Sequence, residues 1–346
     1  MEENKETYGM LDLVIRPGFC VKENRIVKLN WAAEGLLLAP GTDVRTLLAT
    51  GAEEYAAFEG GCLYLKLNLS AHGCGAAVYR VDGYDVFVLD PDADVGELQA
   101  LALAAMELRQ PLLNTMLSAD RLPQDPETRD SLARLNRGLH QLHRIINNMS
   151  DAGRFASASH QEMRDVGKVF SEIFEKAQTL VAHTEVTLTF RGLTEKVFAL
   201  ADREQLERAV LNMLSNAIKF TPKGGSIEAT LTRQGKLLRL SILDSGSGIA
   251  DSILPNVFSR YLRQPGVEDS RYGLGLGMVL IRSAAANHGG TVLIDQPGAR
   301  GTRVTMTMAL RQGSGSALHA HIDLPGGQDP GLIELSDCLP ASVYEK

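Results

Sequence analysis

Asn212, Asn216 and Lys219 recur at i, i+4 and i+7 within DREQLERAVLNMLSNAIKF at 202–220. On a helix that spacing sets two carboxamides and an ammonium along one stripe. Such a stripe can meet a metal–triphosphate. Asn216 offers Mg²⁺ a carbonyl oxygen, and nucleotide-bound Mg²⁺ takes few protein ligands. Lys219 offers a phosphate a compact point charge. On this helix alone, a solvated polar face is the better account.

Two later segments add to it. In LSILDSGSGIADSI at 240–253, an apolar strand ends on Asp244, followed by Gly246 and Gly248. A carboxylate at a strand end can accept from the exocyclic amine of adenine, and the glycines let backbone pass close to a flat base. In GLGLGM at 273–278, Gly273, Leu274, Gly275, Leu276 and Gly277 run into a helix. Backbone amides freed at a helix start bind phosphate well. A dinucleotide fingerprint needs a strand immediately before its glycines. Here the preceding SRYLRQPGVEDSRY at 259–272 is a polar loop.

These segments need elements to position them. Alternating helix and strand signals cover residues 160–312. Helices are expected at 161–181, 202–220 and 276–288. Strands are expected at 185–190, 226–232, 236–243, 290–295 and 302–310. Before them, residues 95–118 and 127–151 carry apolar residues at helical spacing around the loop LPQDPET, with Pro111 inside the first pattern. Pro111 should kink that helix. One hairpin cannot bury both apolar faces, and pairing into a four-helix bundle in a homodimer would. Residues 8–95 read as short strands and turns. One hairpin turns at Glu23-Asn24, a second at Asp82-Gly83, and a short helix falls at WAAEGLLL.

The order of the motifs is the specific signal. NMLSNAIKFTPKGG at 212–225, DSGSGI at 244–249, VFSRYLR at 257–263 and GLGLGMVLIRSAAANHGGTV at 273–292 resemble the N box, first glycine box, F box and second glycine box of histidine kinases. The resemblance implies a left-handed α/β sandwich of the gyrase/histidine kinase/MutL ATPase type at 160–312, binding ATP beneath a mobile lid at about 259–276. It assigns Asn216 to Mg²⁺, Asp244 to adenine, Phe220 to packing near the base and Arg263 to the phosphates. Relatives that hydrolyse ATP carry Glu at the position of Asn212. A neutral Asn is a poor general base, which favours transfer over hydrolysis. RIVKLNWAAEGLL at 25–37 is similar to the opening of PAS sensor domains. The resemblances imply a multidomain α+β chain: a PAS-like domain at 8–95, a dimerisation helical hairpin at 96–155, the ATP-binding domain at 160–312 and a C-terminal tail at 313–346.

AAMELRQPLLNTM at 104–116 departs from the family's H box. Glu107, Leu108, Arg109, Pro111 and Leu112 fit, but Met106 stands where the phospho-accepting His belongs. A thioether cannot be phosphorylated. Gln110 replaces the usual Thr or Asn, and can position water for dephosphorylation. The expected function is an ATP·Mg²⁺-binding, histidine-kinase-like protein of two-component signalling, acting as a regulatory pseudokinase or as a phosphatase towards a response-regulator receiver domain. An active phosphotransferase with a non-standard acceptor, and a nucleotide-binding scaffold, are the alternatives. The remaining composition narrows the class. Net charge is −7 with no dense block of Lys or Arg, against a nucleic-acid partner. The four cysteines, Cys20, Cys62, Cys74 and Cys338, show no metal-ligand spacing. No run approaches about 18 apolar residues, and the MEENKETYGM start lacks a signal-peptide pattern. The expectation is a cytoplasmic protein.

Overall fold

The computed structural model describes residue 11 and residues 16–36, 38–69, 73–90, 95–123, 125–157, 160–250, 253–254, 257–258, 275–298, 300–312 and 329–345. Near the N-terminus, β1 (Gly18–Lys22) and β2 (Arg25–Leu29) form the expected hairpin. Glu23 and Asn24 turn at φ 50° and 63°, the left-handed conformation that a tight hairpin turn requires. Buried Asn30 closes the unit locally: its Oδ1 accepts from the Gly18 N–H at 3.0 Å and the Ala33 N–H at 3.1 Å. A 3₁₀ turn at Trp31–Ala33 and helix α1 (Ala52–Ala56) follow. Then come β3 (Cys62–Leu67), β4 (Cys74–Val81) and β5 (Tyr84–Asp90), the last two joined at Asp82-Gly83. The five strands lie in the order β2-β1-β5-β4-β3, all antiparallel.

Two long helices come next, α2 (Val95–Ala119), which runs through Pro111, and α3 (Arg129–Ser157). They pack along a seam of Ala105, Leu112, Met116, Leu139 and Ile146. Leu135, Leu142 and Ile145, expected on the same apolar face of α3, stay 39–51% exposed.

The rest alternates as expected, apart from two strands at Glu162–Asp165 and Phe198–Ala201. The helix expected from 161 begins at Val166 instead. Residues Glu162–Asp165 form a strand, β6, antiparallel to β8 (Phe198–Ala201), and Asp165 caps helix α4 (Val166–Val181). Then come β7 (Thr187–Arg191), α5 (Arg203–Phe220), β9 (Ser226–Gln234), β10 (Leu237–Asp244), α6 (Gly277–Asn287), β11 (Val292–Asp295) and β12 (Arg303–Ala309). The sheet runs β11-β12-β10-β9-β7, with only β7–β9 parallel. Helices α4 and α5 bury Phe170, Phe174, Leu206, Val210 and Leu214 in the shared core.

The two sheets are one. β3 pairs with β11 through Tyr64↔Val292, Leu63↔Leu293 and Cys62↔Ile294, giving ten continuous strands. Gly61 at φ +89° permits the crossing, because a Cβ there would collide with the Ile294 carbonyl oxygen. Arg282 pairs with Asp90 and stacks 4.8 Å from the Tyr64 ring centroid. Glu54 Oε1 accepts from the hydroxyls of Thr291 (3.2 Å) and Thr307 (2.7 Å).

The HGG turn after α6 carries a pH dependence. His288 is 1% exposed. Its Nε2 accepts from the Asp202 N–H at 2.9 Å, so Nδ1 carries the hydrogen and donates to the Ala284 carbonyl at 2.7 Å. Burial lowers its pKa below the ordinary histidine value. An unfolded histidine takes up its proton near about pH 6.5, whereas the folded one does so only at lower pH. The unfolded state therefore binds more protons as pH falls through that window, and stability drops. Urea unfolding should show a midpoint that declines from about pH 6.5 downwards, with the decline flattened in His288→Asn.

Candidate nucleotide-binding site

Strand β10 places the first group. Its burial alternates strictly, and Leu238, Leu240, Ile242 and Asp244 share the inward face. The period of two thus carries a carboxylate to the end of an apolar row. Asp244 is 6% exposed. Its Oδ1 accepts from the N–H groups of Gly246 (2.8 Å) and Thr302 (3.1 Å). Burial raises its pKa, and the two N–H donors oppose that shift. Gly246 is needed for this turn, because a Cβ would lie 2.8 Å from Asp244 Oδ1 and meet the Phe220 carbonyl as well.

Helix α5 places the second set. Asp202 caps it, accepting from the Gln205 N–H at 3.1 Å. Leu206, Val210, Met213, Leu214 and Ala217 are buried, which turns the Asn212–Asn216–Lys219 stripe away from the sheet. Asn216, Lys219, Phe220, Asp244, Gly248, Gly275, Leu276 and Gly277 line one cavity of about 630 Å³. Gly277 must be small, as a Cβ there would come within 2.8 Å of Asn212 Oδ1.

The expected residues do not all meet there. Asn212 is 1% exposed and does not line the cavity. Its Nδ2 donates to the Arg208 carbonyl at 2.9 Å and to Glu334 Oε2 at 3.1 Å. Asn212 was expected at the nucleotide; in this structure its amide donates to a buried carboxylate of the C-terminal segment. Gly246 shapes the Asp244 turn without lining the cavity. Arg263, Gly273 and Leu274 lie outside the described residues. Met106, Glu107 and Gln110 are exposed on α2 and are not among the cavity's lining residues. Gln110 donates to Asn114 Oδ1 at 3.2 Å.

Other groups were not foreseen. Helix α3 contributes Gln141, Arg144, Ile145 and Asn148 to the cavity wall, and Asp337 completes it. Asp337 follows helix α7 (Pro330–Glu334), which returns the C-terminal segment to α3 and α5. Lys219 Nζ donates to Asp337 Oδ2 at 2.8 Å, and Arg144 pairs with the same oxygen. Fully buried Glu334 pairs with Arg208 and lies 3.4 Å from Arg144 Nε. Arg208 also meets Asp151 at 2.8 Å and Asn148 Oδ1 at 3.0 Å. Burial pushes the Asp337 carboxyl up, but Arg144 and Lys219 outweigh it and hold its pKa below the usual value. GLIELSDCLPASVYEK carries enough apolar residues to dock, but nothing in it indicates these partners.

A cavity with a buried carboxylate at one wall, an ammonium and a guanidinium at another, and glycines at a helix start suits a molecule with a donor-bearing base and an anionic tail. Residues 201–312 match the HATPase_c family, described as histidine kinase-, DNA gyrase B-, and HSP90-like ATPase. The sensor histidine kinase CusS of Escherichia coli (strain K12) is 30% identical over 216 residues, 59% of this chain and 44% of CusS. The adaptive-response sensory kinase SasA of Parasynechococcus marenigrum (strain WH8102) is 29% identical over 223 residues, 62% of this chain and 57% of SasA. The sensor protein KdpD of Clostridium acetobutylicum is 29% identical over 194 residues, 54% of this chain and 22% of KdpD. The chain thus spans between 22% and 57% of these curated relatives. Full-length ShkA, solved in complex with AMPPNP, superposes with TM-score 0.51 at 20% identity, covering 62% of this chain and 46% of ShkA, a likeness of fold. Residues 201–312 are therefore a HATPase_c domain, and the chain that carries them is a relative of the sensor histidine kinases.

Proposed function

We propose that this protein binds ATP·Mg²⁺ in the 630 Å³ cavity and works as a regulatory histidine-kinase-like protein of two-component signalling that lacks the acceptor on its hairpin. The observation that carries the reading is the convergence of Asn216, Lys219, Asp244 and Gly275–Gly277 on one cavity. Asp244 receives the adenine amine and Phe220 packs near the base. Lys219 and the amides at the start of α6 face the phosphates. The Asn216 carboxamide is a hard oxygen donor on the cavity wall, suited to a nucleotide-bound Mg²⁺. Transfer of a phosphoryl group depends mainly on such positioning and charge neutralisation.

What is missing is the nucleophile. Met106 is 62% exposed on α2, with Glu107 beside it. His140 is a poor replacement, because its Nδ1 is tied to the Asn136 carbonyl at 2.8 Å and its ring packs 4.9 Å from Tyr344. With no acceptor at position 106, the remaining roles are switching by nucleotide occupancy and Gln110-assisted dephosphorylation of a response-regulator receiver domain. Hydrolysis by water is disfavoured, since Asn212 is neutral and its amide is engaged.

Two further parts of the reading rest on surface and order. Leu103, Leu108 and Leu117 on α2, with Leu135 and Leu142 on α3, are all exposed. A second hairpin would cover them in a homodimeric four-helix bundle. The antiparallel order β2-β1-β5-β4-β3, with its short helices between β2 and β3, supports a PAS-like sensor at the N-terminus.

Two measurements test this. Asp244→Asn should weaken ATP binding by about 1–3 kcal/mol, as for a lost charge-assisted hydrogen bond; calorimetry giving equal affinities would remove the adenine assignment. With γ-labelled ATP, the wild-type chain should take up no acid-labile, base-stable phosphate, and Met106→His should gain it. Labelling of the wild type would favour a non-standard acceptor. No labelling in Met106→His would favour the scaffold reading.

A further inference from the structure

We propose that the C-terminal segment is an intramolecular competitor of nucleotide, with the Asp337 carboxylate occupying the place of a terminal phosphate on Lys219 and Arg144. The proposal rests on the nucleotide-site reading above and adds to it both a phosphate-binding Arg144 from the helical hairpin and a built-in occupant.

Lys219 and Arg144 are the cations on the wall of the described cavity, with side chains 6% and 8% exposed, and both pair with Asp337 Oδ2. Desolvated cations of this kind are costly unless an anion meets them. The segment meets both through Asp337 Oδ2, and Glu334 also lies 3.4 Å from Arg144 Nε. A triphosphate entering with its base on Asp244 brings its own negative charge to the same two groups. Its oxygens and the Asp337 carboxylate would then be like charges in contact, which disfavours holding both at once. One anion must leave, and the segment is the one that the protein itself supplies.

The segment docks through contacts of its own. Arg137 of α3 donates to the carbonyls of Ser336 (3.0 Å) and Asp337 (3.1 Å). Asn136 donates to the Tyr344 carbonyl at 3.3 Å, and Arg129 pairs with Glu345 at 2.8 Å. Leu335 and Leu339 are buried on the ATP-binding domain's core, with Cys338 3.6 Å from Ser215 of α5. The segment therefore bridges the hairpin and the ATP-binding domain. While it is docked, it holds α3 against α5. Nucleotide entry would loosen that clasp, leaving the direct Arg208–Asp151 and Arg208–Asn148 contacts between the two units.

The test uses the whole 346-residue chain and reads two signals. Amide hydrogen exchange of residues 331–339 should accelerate on adding ATP·Mg²⁺ and stay unchanged with adenosine, which has the base but no phosphates. Asp337→Asn should bind ATP about tenfold more tightly than the wild type, because the competent state no longer has to displace a charged occupant. Exchange that is unchanged or slowed by ATP overturns the proposal, and slowing combined with weaker binding by Asp337→Asn would make Asp337 a helper of the bound nucleotide instead. The exchange measurement needs no variant, so poor folding of Asp337→Asn leaves the proposal open to refutation. If ATP binds neither chain, the nucleotide-site reading falls and this proposal with it. If ATP binds both equally with no change in exchange, only this proposal falls.

Discussion

The amphipathic burial of helix α5 is the constraint on which the site depends. Leu206, Val210, Met213, Leu214 and Ala217 are in the core, and burying each large apolar side chain is worth about 1.5–3 kcal/mol. That energy fixes the rotation of the helix about its axis. At 100° per residue the phase of every other side chain follows, and the Asn212–Asn216–Lys219 stripe cannot turn elsewhere. Rotation by one residue would bury Lys219 against leucines, at a cost that no cavity contact offsets. The chemistry of the site is thus set by packing on the far side of the helix.

Fixing that stripe creates a second problem, which the rest of the fold answers. Asn212, Arg208 and Lys219 emerge into a crevice that α3 closes, so their polar groups need partners within the protein. Glu334, Asp337, Asp151 and Asn148 supply them. The helical hairpin, the ATP-binding domain and the C-terminal segment are therefore tied by one charge network. On the opposite side, β3–β11 pairing, Arg282–Asp90 and Glu54 tie the N-terminal strands to the same domain. The N-terminal strands and the strand that carries Asp244 thus lie in one hydrogen-bonded sheet.

Much of this was legible in the residues, for reasons that differ by element. Strand β10 and helix α5 are strongly periodic, so both their type and the direction of Asp244 and Asn216 could be read. The β6–β8 pair was not legible. EMRD at 162–165 is half-buried throughout and shows no alternation, so the following helix's pattern absorbed it. Leu142 and Ile145 satisfy helical spacing and remain 51% and 39% exposed within one chain, so the spacing marks an apolar face without saying what covers it. Asn212 follows the same spacing as Asn216, and only the return of Glu334 from over a hundred residues away decides that it faces a carboxylate. Long-range polar pairing leaves no local mark. The docking of 330–345 could be foreseen as an event, from Ile333, Leu335, Leu339 and Tyr344, though not as an address.

The central claim is that the cavity selects an adenine nucleotide through Asp244. Thermal unfolding of the whole 346-residue chain with ATP·Mg²⁺ and with GTP·Mg²⁺ tests it most directly. A ligand at about a hundredfold over its dissociation constant adds roughly 2.7 kcal/mol of stability. Adenine presents an amine to the Asp244 carboxylate, whereas guanine presents a carbonyl oxygen there, which leaves two acceptors facing each other. The account predicts a raised unfolding temperature with ATP and none with GTP; equal shifts with both, or no shift with either, would contradict it.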